Sequence, residues 1–490
     1  MEPGFKEAFV RQMQRLMGSE WMELSLALQT TVPYRGLRLH RWTMAANHEG
    51  RDKLVVPTPT YAISTPVPMP AVMAESLAKP VPWMTDAYYI PEDSNLGKTI
   101  YHEAGAFYIQ EPSAMAPAVA LAVRPGERVL DLCAAPGGKT TALARAMNGQ
   151  GVLVANEIHP KRVVTLAQNI ERLGIPAVVV NESPDRLAQT WPGYFDAVLV
   201  DAPCSGEGMF RKDSAAREQW SEDAPVVCAS RQKDILRAAV RLVRPGGRLV
   251  YSTCTLNAME NEQVVDWALR ELPLTLTALP NWPLWSDGRP EWGNDNPRLT
   301  LTKRLWPHIG EGEGHFVAAF TVARTDERAI AAQAARGGTQ PVSSNKRKQG
   351  HTDDRWRTLA EELLYDVPIQ WQTTVSHGDL LFEAPPVDLV TTGLKVLRPG
   401  LCLAEISGQR LQPHHSLAMA VHPDLVRRKV ELDPALASDY MAGQALDRTV
   451  SPGWNLLMSI GTIPLGWGKG VPGRINNLYP RGLRRQGLLF

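Results

Sequence analysis

Residues 129–141 read Val-Leu-Asp-Leu-Cys-Ala-Ala-Pro-Gly-Gly-Lys-Thr-Thr, and they leave few folds open to this chain. The apolar start, residues 129–132, is the length of one buried strand. Pro136-Gly137-Gly138 turns the chain sharply, and a helix is expected over 140–147. A strand, a glycine turn and a helix open a nucleotide-binding βαβ unit, with unpaired backbone N–H groups aimed at the ligand.

Lys139-Thr140 invites a P-loop reading, which requires glycine at position 133. Cys133 stands there, and its β-carbon blocks the wrap around a phosphate chain. The Gly-x-Gly-x-x-Gly dinucleotide fingerprint is absent as well. An adenosine ligand with no phosphate chain to cradle remains, and S-adenosyl-L-methionine fits that description.

Further strands are expected at 152–156, 177–180, 195–200 and 248–252, and helices at 161–173 and 230–243. Arg244-Pro245-Gly246-Gly247 stops the second of these helices. Glu157 closes the 152–156 strand, where an acid accepts both ribose hydroxyls of a bound nucleoside. Asp201-Ala-Pro-Cys-Ser-Gly and Thr253-Cys-Thr close the last two strands. The alternation predicts a doubly wound, Rossmann-like α/β core with its unusual residues at the carboxyl ends of strands, where ligands bind.

Cys204 and Cys254 therefore fall at the ends of two expected strands. A single cysteine in such a place is most simply a small packing residue. Two facing one cofactor suit the methylation of a pyrimidine at C5, a poorly nucleophilic carbon. A thiolate that attacks C6 makes an enamine, and C5 then becomes a nucleophile toward a sulfonium methyl. A free thiol titrates near about 8.5, so nearby positive charge must favour the thiolate, and Lys139 is the candidate. Asp201 can engage the N3/N4 edge while charge develops through the ring. A proton must leave C5 afterwards, which needs an acid–base partner. The chemistry alone leaves open which cysteine attacks.

Together the motifs Asp131–Thr141, Asn156-Glu157, Asp201–Gly208 and Tyr251–Thr255 resemble the RNA cytosine-C5 methyltransferases of the NOL1/NOP2/Sun family, in its bacterial RsmF-type branch. The resemblance covers residues 100–322. It implies that Cys254, in the Thr-Cys motif, is the nucleophile and that Cys204, in the Pro-Cys motif, assists product release. It also implies that Cys133, Ala134, Ala135, Pro136, Gly137, Gly138, Lys139, Glu157 and Asp201 bind the cofactor or line its pocket. Where the family offers an aspartate near the adenine, this chain has Ser183, with Asp185 close by to substitute. Its usual Arg-x-Asn reads Arg38-Leu39-His40 here. The end of the chain, including Ile463–Lys469 and Asn476–Arg485, resembles the PUA-like RNA-binding module of that branch.

The implied domains are an N-terminal α+β RNA-binding or accessory domain over 1–99, the methyltransferase core over 100–322 and a mobile linker over 323–353. An intermediate domain over 354–429 and a β-rich PUA-like module over 430–490 follow. Residues 5–28 are expected to form one or two amphipathic helices, and proline-rich residues 57–83 loops and edge pieces. Arg35, Arg38 and Arg41 beside Trp42 fit either a basic, aromatic RNA-facing strand or a solvated strand with one buried tryptophan. Lys346-Arg347-Lys348 is read as part of a solvated linker, and 355–490 as short strands and turns separate from the sheet.

The partner implied is RNA, in the form of small-subunit (16S) ribosomal RNA or the 30S subunit, and the protein is expected to be a monomer. A formal charge of +1 means that RNA contacts come from local patches, and from Arg448 to the end there are basic residues and no acid. Five cysteines without a Cys-x-x-Cys pair suggest neither zinc nor disulfides, and free thiols imply a reducing compartment. Charges at Glu2, Lys6, Glu7 and Arg11 exclude a signal-peptide core, and no apolar run reaches membrane-spanning length. A cytoplasmic enzyme without a metal is expected. A tRNA substrate, a P-loop NTPase and a catalytically silent RNA-binding assembly factor are the alternatives.

Overall fold

The computed structural model describes residues 4–40, 43–44, 67–68, 77–324, 353–458 and 463–489. The chain divides into two compact units. The first gathers Met1–Pro33, Ser113–Cys133 and Glu182–Gln349, and the second Tyr34–Pro112, Ala134–Asn181 and Gly350–Phe490. Arg41, Trp42, most of 57–83 and the linker with Lys346-Arg347-Lys348 lie outside the described residues.

In the first unit, strands Arg128–Asp131, Phe195–Asp201 and Val243–Thr253 run parallel in that spatial order, and His315–Val322 adds antiparallel to the last. Ala197 to Val200 are wholly buried, so this strand reads as an unbroken apolar run instead of an alternating one. The helix Ala224–Leu242 starts six residues ahead of expectation, with Pro225 in its first turn. Its first turn escaped notice because Val226 and Val227 are 56% and 54% exposed and break the amphipathic pattern. The Pro-Gly-Gly segment ends that helix as expected, but it lies inside the next strand, where the register shifts between Val243 and Arg248. The helices Glu7–Met17 and Trp21–Thr30 bury Phe9, Met13, Trp21, Leu24 and Leu28 against Phe210, Trp220, Leu256 and Trp306.

In the second unit, Val152–Asn156 and Val178–Val180 are parallel, with the helix Pro160–Arg172 between them in sequence. Val396–Arg398 then pairs antiparallel with Val178–Val180. The C-terminal region is therefore not separate from the sheet. Nor is it only strands and turns, since it holds the helices Asp354–Leu363, His415–Ala420 and Pro434–Ala442. Its last strands, Gly453–Met458, Pro464–Val471 and Arg474–Asn477, form an antiparallel meander. Leu457, Ile475 and Tyr440 from this end pack in one cluster with Leu37, Ile100 and Phe107.

Arg38 fits neither reading of its strand. It is 2% exposed, and its guanidinium donates to the carbonyls of Gly138 and Thr141 and to the Thr141 hydroxyl. Among the described residues no helix is long and apolar enough to cross a membrane.

Candidate active site

Strand register brings the two cysteines of the first unit together. Ser252 pairs with Asp201 in the parallel ladder, so the loops beyond them leave the same sheet edge. Cys204 and Cys254 meet there with their Sγ atoms 3.4 Å apart. The hydrogen bond with Cys254 and burial push the Cys204 thiol well above its ordinary range. Gly208 donates its N–H to the Cys254 carbonyl at 2.9 Å. A β-carbon at Gly208 would lie 2.7 Å from that carbonyl oxygen and 2.8 Å from the carbonyl oxygen of Gly314, so only glycine admits the approach.

Glu260 ties the two loops together. Lying beyond Cys254 in the chain, it accepts from the Ser205 amide at 3.1 Å, from the Ser205 hydroxyl, and from Gln232 Nε2 at 2.8 Å. Gln232 also donates to the carbonyl of Pro203, next to Cys204. Burial raises the Glu260 carboxyl to about 7 in spite of these donors, and the neighbouring Glu207 adds to the rise. Glu207 is itself buried and raised, accepting from Trp220 Nε1 at 3.1 Å and Asn257 Nδ2 at 3.3 Å. Asp201 accepts from Ser252 Oγ at 2.7 Å. Sequence reasoning singled out both cysteines and Asp201 and held Gly208 only as the end of a motif, but it did not single out Glu260 or Gln232, whose places here arise from loop packing and carry no local signature.

Ser183 and Asp185 also belong to the first unit. Ser183 is the N-cap of the helix Pro184–Thr190, its hydroxyl accepting from the Arg186 amide at 3.3 Å, and Asp185 lies in the first turn. Cys133, half-buried, closes the first unit in sequence.

The second unit holds the glycine turn and Glu157. The Ala134 amide donates to the Asn156 carbonyl at 2.8 Å, so the turn and the end of the next strand are adjacent. Arg162 donates to the Ala135 carbonyl at 2.7 Å and Asn169 to that of Pro136 at 2.9 Å. Gly137, at φ 113°, precedes the helix Gly138–Met147, whose N-terminus has no side-chain cap. A β-carbon on Gly138 would meet the Gln110 side chain at 3.0 Å. Lys139 is half-buried in the first turn. Glu157 is 3% exposed; one oxygen accepts from the His159 amide at 2.9 Å and the other lies 3.5 Å from Arg162. Amides at an uncapped helix start beside a buried acid suit a nucleoside with a ribose diol, so these residues fit S-adenosylmethionine.

Four family models match stretches of the chain. The family described as 16S rRNA methyltransferase RsmB/F matches residues 118–321. The N-terminal domain of 16S rRNA methyltransferase RsmF matches 62–112, the RsmF rRNA methyltransferase first C-terminal domain 359–421, and the methyltransferase RsmF PUA domain 427–485. Ribosomal RNA small subunit methyltransferase F of Shigella boydii serotype 18 is 34% identical over 427 residues, covering 84% of this chain and 86% of the relative. The protein of that name from Escherichia coli O139:H28 is likewise 34% identical over 427 residues, with the same coverage. Among solved structures, a methyltransferase homolog protein from Pyrococcus horikoshii is 27% identical with a TM-score of 0.52, over 65% of this chain and 95% of its own. NSun6 from Pyrococcus horikoshii with SFG has a TM-score of 0.54 at 19% identity, over 66% of this chain and 100% of its own, and shares the fold.

Proposed function

The chain belongs to the RsmB/F family of 16S rRNA methyltransferases, and from that premise we propose that it works through a covalent bond between Cys254 and C6 of its target cytosine. It is an S-adenosylmethionine-dependent enzyme that forms 5-methylcytosine in small-subunit ribosomal RNA. It has a Rossmann-like methyltransferase core with a mixed sheet and a PUA-like C-terminal module. Membership sets aside the NTPase and the silent assembly factor.

The observation that carries the covalent reading is the thiol pair, with Sγ atoms 3.4 Å apart at one sheet edge. Of the two thiols, Cys254 is taken as the one that attacks because it stands in the Thr-Cys motif, Tyr251–Thr255. Bound S-adenosylmethionine supplies an electrophilic methyl group. Cys254 adds to C6, which makes C5 an enamine carbon able to take that methyl. Asp201 engages the N3/N4 edge of the base. Cys204 assists the release step, in which C5 loses its proton, the S–C6 bond breaks and the C5=C6 double bond returns. Glu157 holds the ribose hydroxyls of the cofactor, and Cys133 through Gly138 form the turn around it. On the adenine side, Ser183 or Asp185 takes the place of the family's aspartate. Lys139 is the cation assigned to favour the thiolate, on its motif alone. The target base leaves any stack at a cost of roughly a few kcal/mol.

We read the finer setting as a monomer in the cytoplasm, acting on 16S ribosomal RNA or the 30S subunit, with 430–490 contributing RNA contacts. Bisulfite sequencing of total RNA from a deletion strain tests the substrate. Loss of one or more 5-methylcytosines from 16S ribosomal RNA is expected. Retention of all of them, with loss of a tRNA site, would move the activity to tRNA.

A further inference from the structure

One buried side chain at this sheet edge has no task in the scheme above. Ser252 pairs with Val317 and Thr253 with Phe316 in the antiparallel ladder, and His315 is the first residue of the strand that carries Val317. Side chains alternate between faces along a strand, so Ser252, Val317 and His315 share one face. The contacts agree. Ser252 Oγ donates to Asp201 Oδ1 at 2.7 Å, and His315 Nε2 lies 3.8 Å from the same oxygen.

His315 is 3% exposed, and among the described residues neither of its ring nitrogens has a hydrogen-bond partner. An unsatisfied buried donor costs about 1–3 kcal/mol. A ring that merely filled space at this position would be better served by an apolar side chain. The separation from Asp201 exceeds a hydrogen bond but needs only a small shift to become one. Catalytic hydrogen bonds are often long before substrate arrives and tighten in the complex.

We infer that His315 is the positioning residue for Asp201: it closes on the carboxylate as the cytosine enters, and the Asp201–His315 pair lends and recovers the proton carried by N3 of the base. The inference rests on the covalent reading above. As the Cys254 lone pair forms the S–C6 bond, the C5=C6 pair moves to C4=C5. The C4=N3 pair moves onto N3, which takes a proton from Asp201–His315. After C5 has gained its methyl, the ring is a cation protonated at N3. C5 then loses its proton to a water molecule, its bonding pair restores C5=C6, and the S–C6 pair returns to sulfur. N3 gives its proton back to the pair, which ends the turnover as it began.

The test is steady-state kinetics with the full-length enzyme, unmodified small-subunit ribosomal RNA and S-adenosylmethionine. His315→Phe fills the same space without a polar atom, and His315→Gln keeps hydrogen bonding without an imidazole to pass a proton on. Both are expected to lower kcat by about tenfold to a hundredfold, with KM for RNA and cofactor within about twofold of wild type. Added to Asp201→Asn, either change should cost less than about twofold more, because the residue it acts through is already disabled. Wild-type kcat in either variant would overturn the inference, and so would losses that multiply in the double variants. Early melting with lost cofactor affinity in both variants would assign His315 to packing and overturn it too. A wild-type enzyme that leaves no 5-methylcytosine in the RNA would instead overturn the function itself.

Discussion

Glu260 is where residue-scale chemistry and loop structure meet. Its carboxyl titrates near 7 against an ordinary 4.5, so the folded protein favours its protonated form. The stability this contributes is complete below the ordinary value and is lost as pH rises through about 7. Glu260→Gln copies the protonated acid and should flatten the fall in melting temperature across that window, leaving methylation intact. Glu260→Ala leaves the Ser205 amide without its acceptor and takes from Gln232 one of its two, and should cost about 1–3 kcal/mol in chemical denaturation, with a sharp drop in activity. An unchanged pH dependence in the glutamine variant would remove the titration from Glu260. Glu157 makes the second prediction at this scale. If it holds the ribose hydroxyls, Glu157→Ala should weaken S-adenosylmethionine binding by about tenfold or more in calorimetry, since losing a charged partner costs roughly 1.5–3 kcal/mol, while the fold survives. Equal affinity would remove the assignment.

At the scale of elements, the active site is a junction of loops held by backbone contact. Gly208 lies so close to the Cys254 and Gly314 carbonyls that an added methyl must push one of them away. Gly208→Ala should therefore cost about 1–3 kcal/mol of stability and reduce methylation out of proportion to that loss, by displacing Cys254 from Cys204. A variant as active as wild type would show that the approach is not needed. The strands that carry Cys204, Cys254 and Glu157 could be read from the sequence because each is a short apolar run that stops at a polar motif. The helix Asp354–Leu363 could have been read as well. Asp353 caps it, and Trp356, Leu359, Ala360 and Leu363 fall on one buried face. Other features were not legible in principle. Val396–Arg398 joins the sheet beside Val178–Val180 through long-range pairing, which leaves no trace in either segment. Arg38 looks like a surface cation until the carbonyls of Gly138 and Thr141 are seen around it.

For the whole molecule, the C-terminal module cannot simply be cut away to test RNA binding. Leu457 and Ile475 share a core with Leu37 and Phe107, so deletion of 430–490 would unroof the second unit. Charge substitution avoids this. Arg474, Arg481, Arg484 and Arg485 are exposed and lie in the acid-free run after Arg448. Replacing all four by Gln should weaken RNA binding at low salt and lower the slope of log affinity against log salt by about three, since each phosphate contact contributes roughly 0.7–0.9. Cofactor affinity should not move. An unchanged slope would make the module structural only. The central claim concerns the order of covalent steps, and a denaturing gel of enzyme incubated with RNA and S-adenosylmethionine tests it most directly. Cys204→Ala should attack and methylate but fail to release, giving a slow-migrating protein–RNA band that carries 5-methylcytosine, while Cys254→Ala should give no band and no methylation. A band from Cys254→Ala and none from Cys204→Ala would exchange the two roles, and methylation intact in both without any band would contradict covalent catalysis.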